Sequence, residues 1–402
     1  MARQLVLSKN NLFFYFIIFG YLFGVILYDY LKFDYTDELM ALFLVLFTLV
    51  VAFERRNPKE LIPLAVLALV FLFYLTYSFY IHSNVPQAIL MDFAVQIKPY
   101  LGFYCTLFIA PRFTVSQRRI IVILCLCVAV FILMVGITGN IYTVFGHPSR
   151  YATATVATAF LFLYCTSYLW SDVVVFIIIL SIGFFSTRSK FYGLWVISSF
   201  FAIYSKVTNG TIKLNLKGLV WVLVGCSAAL LLAWDKIVVY YINGAMNDGE
   251  MWSRPAMMLA STWLFADYFP FGTGFASFGT FFSGEYYSHI YGLYGLDHLF
   301  GISPETRFFI SDAFYPALAQ FGIVGVLLYL MFWYSVVRMA AKGSIQDLKL
   351  YLIPVLATVF FLIEGVADST FTHNRGLFIL ILTGMALADK KAISNEYIPA
   401  NK

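Results

Sequence analysis

Apolar runs of about 20 residues, broken by short polar stretches, recur along this chain, and a run of that length crosses a bilayer as one helix. They fall near 11–31, 38–53, 61–81, 88–110, 119–137, 151–170, 172–186, 191–205, 217–242, 313–338, 348–366 and 374–388. Lipid offers no hydrogen-bond partners, so each run must satisfy its own backbone as helix. The expected fold class is therefore all-α: a polytopic membrane protein with about 12 transmembrane helices. Composition agrees. Charged residues make up 12% of the chain and hydrophobic residues 61%, whereas a soluble domain carries roughly 25% charge.

Residues 243–312 are too polar and Gly-rich to span and form one large loop. The expected division is 1–242 with helices one to nine, 243–312 as the loop, 313–390 with helices ten to twelve, and 391–402 as a tail. The first run is too long for a signal-peptide core and lacks a small-residue cleavage site, so it reads as an uncleaved span. Cys105, Cys125, Cys127, Cys165 and Cys226 all sit inside apolar runs, where inert thiols are expected rather than disulfides or a zinc site.

Basic loops fix the orientation. "ERRNPKE" (54–60), "PRFTVSQRR" (111–119), "SKVTNGTIKLNLK" (205–217), "RMAAKGSIQDLK" (338–349) and the tail alternate with basic-poor loops. They share the side of Arg3 and Lys9, which the positive-inside bias makes cytoplasmic. Both termini are then inside and the 243–312 loop outside. The net charge of +5 reports this orientation and gives no reason to expect a nucleic-acid partner.

Against that bias, Arg150, Arg188, Lys190, Arg254, Arg307 and Arg375 fall on the outer side. Isolated cations there can snorkel to lipid headgroups. Several of them at span ends beside a large loop suit an anion site, and the planar fork of Arg matches phosphate oxygens.

The loop opens with "EMWSRPAMMLASTWLFADYFPFGTGFASFG" (250–279). Pro255 and Ser253 suggest a helix that starts near Pro255, capped by Ser253, with Met257, Met258, Trp263, Leu264 and Phe265 as its apolar face. Arg254 then lies at the positive end of that helix. "PFGTGF" is a tight turn and no nucleotide fingerprint, since no strand precedes it. Aromatics in "FFSGEYYSHIYGLYGLDHLFG" (281–301) can stack on sugars or belong to a membrane belt. His289 and His298 lack the clustered partners of a metal site. Asp312 reads as a helix cap or as a general base. Pro316 and Gly322 allow a kink. Glu364 and Asp368 share one helix face, with His373 and Arg375 following, and Asp92 and Lys98 lie within the fourth run. Charges in such places are paired or functional.

The order of "STRSK", "SRP", "FPFGTGFASFG" and "DAFYPALAQFGIVG" resembles the Wzy-type polysaccharide polymerase and O-antigen ligase family of bacterial integral membrane proteins. The likeness covers roughly residues 180–340. It implies a membrane-embedded glycosyltransferase of the C type in the inner membrane, inverting and needing neither metal nor cofactor. Its donor would be an undecaprenyl-pyrophosphate-linked oligosaccharide, and a chain-length regulator is a further expected partner. Arg188 and Arg254 match the arginines that hold the pyrophosphate. Ligases of this family carry a His-Asn pair where this chain has Ser311-Asp312, so Asp312 is the expected base and the polymerase branch the expected activity. Lys190, Arg307, Asp368, His373, Arg375 and Lys98 are expected in support. A ligase onto lipid A core and a flippase or secondary transporter are the rival readings.

Overall fold

A computed structural model describes residues 8–33, 35–55, 58–210, 234, 238–244, 251–342 and 347–396. Among these residues every regular element is helical. The long helices are α1 (Lys9–Phe19, continued by a π-helical turn Gly20–Ile26), α2 (Thr36–Arg55), α3 (Ile62–Tyr80), α4 (Pro86–Ile109), α5 (Val115–Ile137) and α6 (Pro148–Cys165). They continue with α7 (Trp170–Ile182), α8 (Ser189–Thr208), α9 (Ser253–Asp267), α10 (Gly322–Ala341), α11 (Leu348–Glu364) and α12 (Asn374–Glu396).

Among the described residues, five segments are long and apolar enough to cross a membrane: Lys9–Ile26, Thr36–Arg55, Lys59–Tyr80, Val115–Ile137 and Phe314–Ala341. The second run is longer by two residues at each end than the expected 38–53, and the charges of Asp37 and Glu38 in its first turn find a partner in Lys98. The seventh run begins earlier than expected, at Trp170, and closes at Ser186 as expected, its last turn, Gly183–Ser186, being 3-10. The expected ninth run, Cys226 and the end of the tail lie outside the described residues.

The bundle is inside-out relative to a soluble protein only at its rim. Leu42, Leu46, Leu49 and Phe53 of α2, Val66, Leu69 and Leu72 of α3, and Ile123, Val130 and Met134 of α5 are exposed. Such continuous apolar faces need lipid against them. Two helices form the centre. α6 is buried along almost its whole length, and residues 377–388 of α12 are nearly all buried. The threonines of α6 fit that dry setting because Thr153, Thr155 and Thr158 return their hydroxyls to carbonyls one turn back. Of the cysteines, Cys105, Cys125 and Cys165 are buried while Cys127 is exposed, so a core position holds for the first three and not for Cys127.

Contacts between connections sort them to two ends. At one, Arg55 donates to the carbonyls of Phe108 and Ile109, Arg118 to Asp389, Lys206 to Tyr168 and Lys349 to Thr166. At the other, Asn84 donates to Ala276, Arg150 and Arg375 to Asp29, and Ser369 to Ser311. We call the second the loop end, because residues 253–312 pack there.

Glycine explains how the loop re-enters the bundle. Gly272 (φ +78°) and Gly322 (φ +58°) cross backbone against backbone, and a Cβ on either would collide with the other's main chain. "PFGTGF" thus makes a crossing and no anion cradle: the Gly272 N–H donates to Tyr268 and the Gly274 N–H to Gln320.

Candidate functional site

Six chain segments meet at the loop end and bring most of the expected charges into one basin. Arg188 caps the start of α8, and Lys190 follows in its first turn. Lys190 Nζ lies 2.7 Å from Glu364 Oε2 and 3.4 Å from Asp368 Oδ2. Thr370 donates its hydroxyl to Asp368 Oδ1 at 2.7 Å. Arg375 and Arg150 grip the two oxygens of Asp29, at 2.6 and 2.5 Å. Arg188 takes a different partner: its Nη2 lies 2.9 Å from His147 Nε2. Among the described residues Arg188 has no carboxylate within ion-pair distance, so its charge is left unneutralised inside the basin.

The loop joins this basin through residues 311–315. Ser369 donates to the Ser311 carbonyl at 2.6 Å, and the Phe314 N–H to the Gly365 carbonyl at 3.1 Å. That docking leaves Ala313 extended, after a turn that ends at Ser311 and a bend at Asp312. Asp312 is therefore not a helix cap: the short helix Phe314–Ala317 is capped by Ala313 without a side-chain bond. The Asp312 carboxylate instead accepts from Arg254 Nε at 2.6 Å. Ser253 departs from expectation in the same way. It is the first residue of α9, preceded by Trp252 as cap, and its hydroxyl donates to the Phe300 carbonyl. The buried face of α9 includes Met257, Ala260, Ser261 and Leu264, packed on the loop's own core, while Trp263 points outward.

Beside Arg254 a cavity of about 400 Å³ opens, lined by Trp252, Phe300, Phe309 and Leu299. Aromatic faces thus stand beside the carboxylate–guanidinium pair, a lining of apolar surface with a few convergent polar groups that is common to ligand pockets.

The charges act on one another across the basin. Burial raises the Asp312 carboxyl above its usual range, with Asp368 adding to the rise while Arg254 and Lys190 oppose it. Burial also pushes Asp368 upward, but Lys190, His373 and Thr370 outweigh it and hold that carboxyl low. His373 is depressed to about 4 by burial together with Arg150, Lys98 and Arg375, against the pull of Asp368. Its side chain is nonetheless exposed.

Two expected residues stand elsewhere. Arg307 donates to the carbonyls of Pro304, Gly284 and Glu285 and lies over the Tyr287 ring, so it holds the loop's own fold. Lys98 is buried below the basin on α4, bound to Asp37 and Glu38. The chain also shows two participants that the sequence reading passed over, Asp29 and His147. "GHPSR" carried a signal for the second, since a polar residue before Pro marks a helix start. Among the described residues no three His, Cys, Asp or Glu side chains group as metal ligands.

Against known proteins, the chain matches no family model and no curated sequence.

Proposed function

We propose that the protein is an inverting, metal-independent glycosyltransferase that elongates a polysaccharide from an undecaprenyl-pyrophosphate-linked donor. The observation that carries this reading is the pooling of Arg188, Lys190, Arg150 and Arg375 beside the Arg254–Asp312 pair, at the end where an aromatic cavity opens. Breaking a glycosyl–pyrophosphate bond develops negative charge on phosphate. Fixed guanidinium groups in a largely dehydrated pocket stabilise that charge. The acceptor hydroxyl must lose a proton as it attacks the anomeric carbon. Asp312, raised above an ordinary carboxylate and bound to Arg254, which lines the cavity, is the base we assign.

The wider setting follows the same reading. The helices around the bundle complete about twelve crossings in the bacterial inner membrane, both termini lie in the cytoplasm, and the loop end faces the periplasm or exterior. The basic residues Arg55, Arg118, Lys206 and Lys349 at the opposite end support that orientation. A ligase that moves finished polymer onto another acceptor would use the same donor site. Ser311-Asp312, in place of the ligase His-Asn pair, favours the polymerase.

The test is the surface polysaccharide of cells carrying Arg188→Ala or Arg254→Ala, with expression checked. Collapse of the long-chain ladder to single repeats is expected. A wild-type ladder in both strains ends the proposal, and loss of attached polymer with polymer still made selects the ligase.

A further inference from the structure

His147 and Arg188 cap two different helices, α6 and α8, and their side chains meet. The contact has a protonation problem. The Ser149 N–H donates to His147 Nδ1 at 3.3 Å, the cap bond that opens α6. A neutral imidazole has one lone-pair nitrogen, so accepting at Nδ1 places the ring proton on Nε2. Arg188 Nη2 sits 2.9 Å from that same Nε2. A guanidinium has no lone pair to offer, so two donors face each other across the gap. The other tautomer only moves the conflict, since it lets Arg188 donate and turns the Nδ1 proton against the Ser149 N–H.

An anionic oxygen placed between them removes the conflict, accepting from both. The surroundings favour one. Arg150 and Lys190 also act on His147, and Asp368 is the opposing charge. Burial and then Arg188 hold the imidazole below its ordinary value, so the ring is neutral at pH 7 and carries the single proton the argument needs. The amino ends of two long helices add positive potential at the same spot.

We propose that His147 is a second ligand of the anion site, donating Nε2–H beside Arg188 to a phosphate oxygen of a pyrophosphate-bearing ligand. This rests on the glycosyltransferase reading for the identity of the anion. The contact with Arg188 is then an empty-state arrangement that the ligand replaces.

Two substitutions separate the histidine's cap from its donor. His147→Asn keeps an oxygen near Nδ1 that can cap α6 but has nothing at the Nε2 position. His147→Gln places an amide N–H near Nε2 and gives up the cap. The full-length protein, purified in detergent, is titrated with inorganic pyrophosphate, and each variant's thermal unfolding is recorded without ligand. H147N should unfold as the wild type does yet bind pyrophosphate roughly ten- to a hundredfold more weakly, the range for one hydrogen bond to a charged oxygen. H147Q should unfold at a lower temperature and bind within about threefold of wild type, a difference under about 0.7 kcal/mol.

Wild-type affinity in H147N overturns the inference. If R188A has lost affinity in the same series, the anion site stands and His147 is a cap alone. If R188A also binds normally, or if the wild type binds no pyrophosphate, the functional reading fails with it. Should H147N not fold, H147Q decides: affinity as low as that of H147A refutes the donor role, and affinity near wild type establishes it.

Discussion

Arg254 Nε lies 2.6 Å from Asp312 Oδ2, joining the first turn of the loop helix to a residue 58 positions further on. The pair fixes how activity should depend on pH. A base works only when deprotonated, so activity is present above its pKa and lost as pH falls through it. Burial raises the Asp312 carboxyl and Arg254 pulls it down. Arg254→Ala removes the downward pull, so the acid limb of the rate profile should move to higher pH. The rate itself should fall about a hundredfold from the lost charge stabilisation. Elongation of lipid-linked oligosaccharide by purified protein, followed across pH, measures both. An unmoved acid limb would assign the proton to another group.

Lys190 is the sole cation that the described residues place against Glu364, which is 3% exposed. Lys190→Met would leave that carboxylate buried beside Asp368 with no counter-charge. Removing one partner of a buried pair costs about 3–5 kcal/mol. A clear drop in unfolding temperature in detergent is expected, and adding Glu364→Gln should recover part of it. Equal melting of K190M and wild type would mean the carboxylate is already neutral.

The crossing of Gly272 and Gly322 predicts a sharp intolerance. Gly322 has φ +58° and ψ −163°, a region essentially closed to residues with a Cβ, and a Cβ there would strike Pro270 O and the Gly272 nitrogen. Gly322→Ala should cost more than about 3 kcal/mol, the sum of strain and displaced backbone. Gly139, also at positive φ but with nothing near its Cβ position, is the control, and Gly139→Ala should cost only about 1 kcal/mol. Folded yield and melting temperature of the two variants make the comparison.

Much of this was legible in the sequence because apolar runs and their breaks are local. The helix positions came from run length, and Arg188, Lys190, Asp312, Glu364 and Asp368 stood out as charges at run ends. What pairs with what was not legible. Asp29 meets Arg375 across 346 positions and Lys190 meets Glu364 across 174, and no local pattern encodes such contacts. Asp312 looked like a cap because a helix begins just after it. The docking of 311–314 on 365–369, which draws the residue out of cap geometry, is a tertiary effect. Arg307 carried the same charge as Arg254, and only the fold shows that its donors are spent on loop carbonyls.

Asp92 shows what a buried carboxylate does when it is not part of the chemistry. It is 1% exposed, and its Oδ2 accepts the Ala276 N–H at 2.7 Å. Ala276 has φ +56°, a strained setting for a residue with a Cβ. Asn84 holds the same residue by its carbonyl at 2.7 Å, so Ala276 is pinned from both sides. Asp92→Ala would orphan a buried N–H, a cost of about 1–3 kcal/mol, and free a strained residue to relax. The loop over 274–280 should then open more often, read as faster amide hydrogen exchange there than in α12. Ala276→Gly relieves the strain, so the double variant should lose less than the sum of the two single changes. Because Asp92 lies outside the charged basin, the ladder should survive D92A once expression is matched. Unchanged exchange at 274–280 would show that the loop is held without this carboxylate. A lost ladder with unchanged exchange would instead put Asp92 in the reaction.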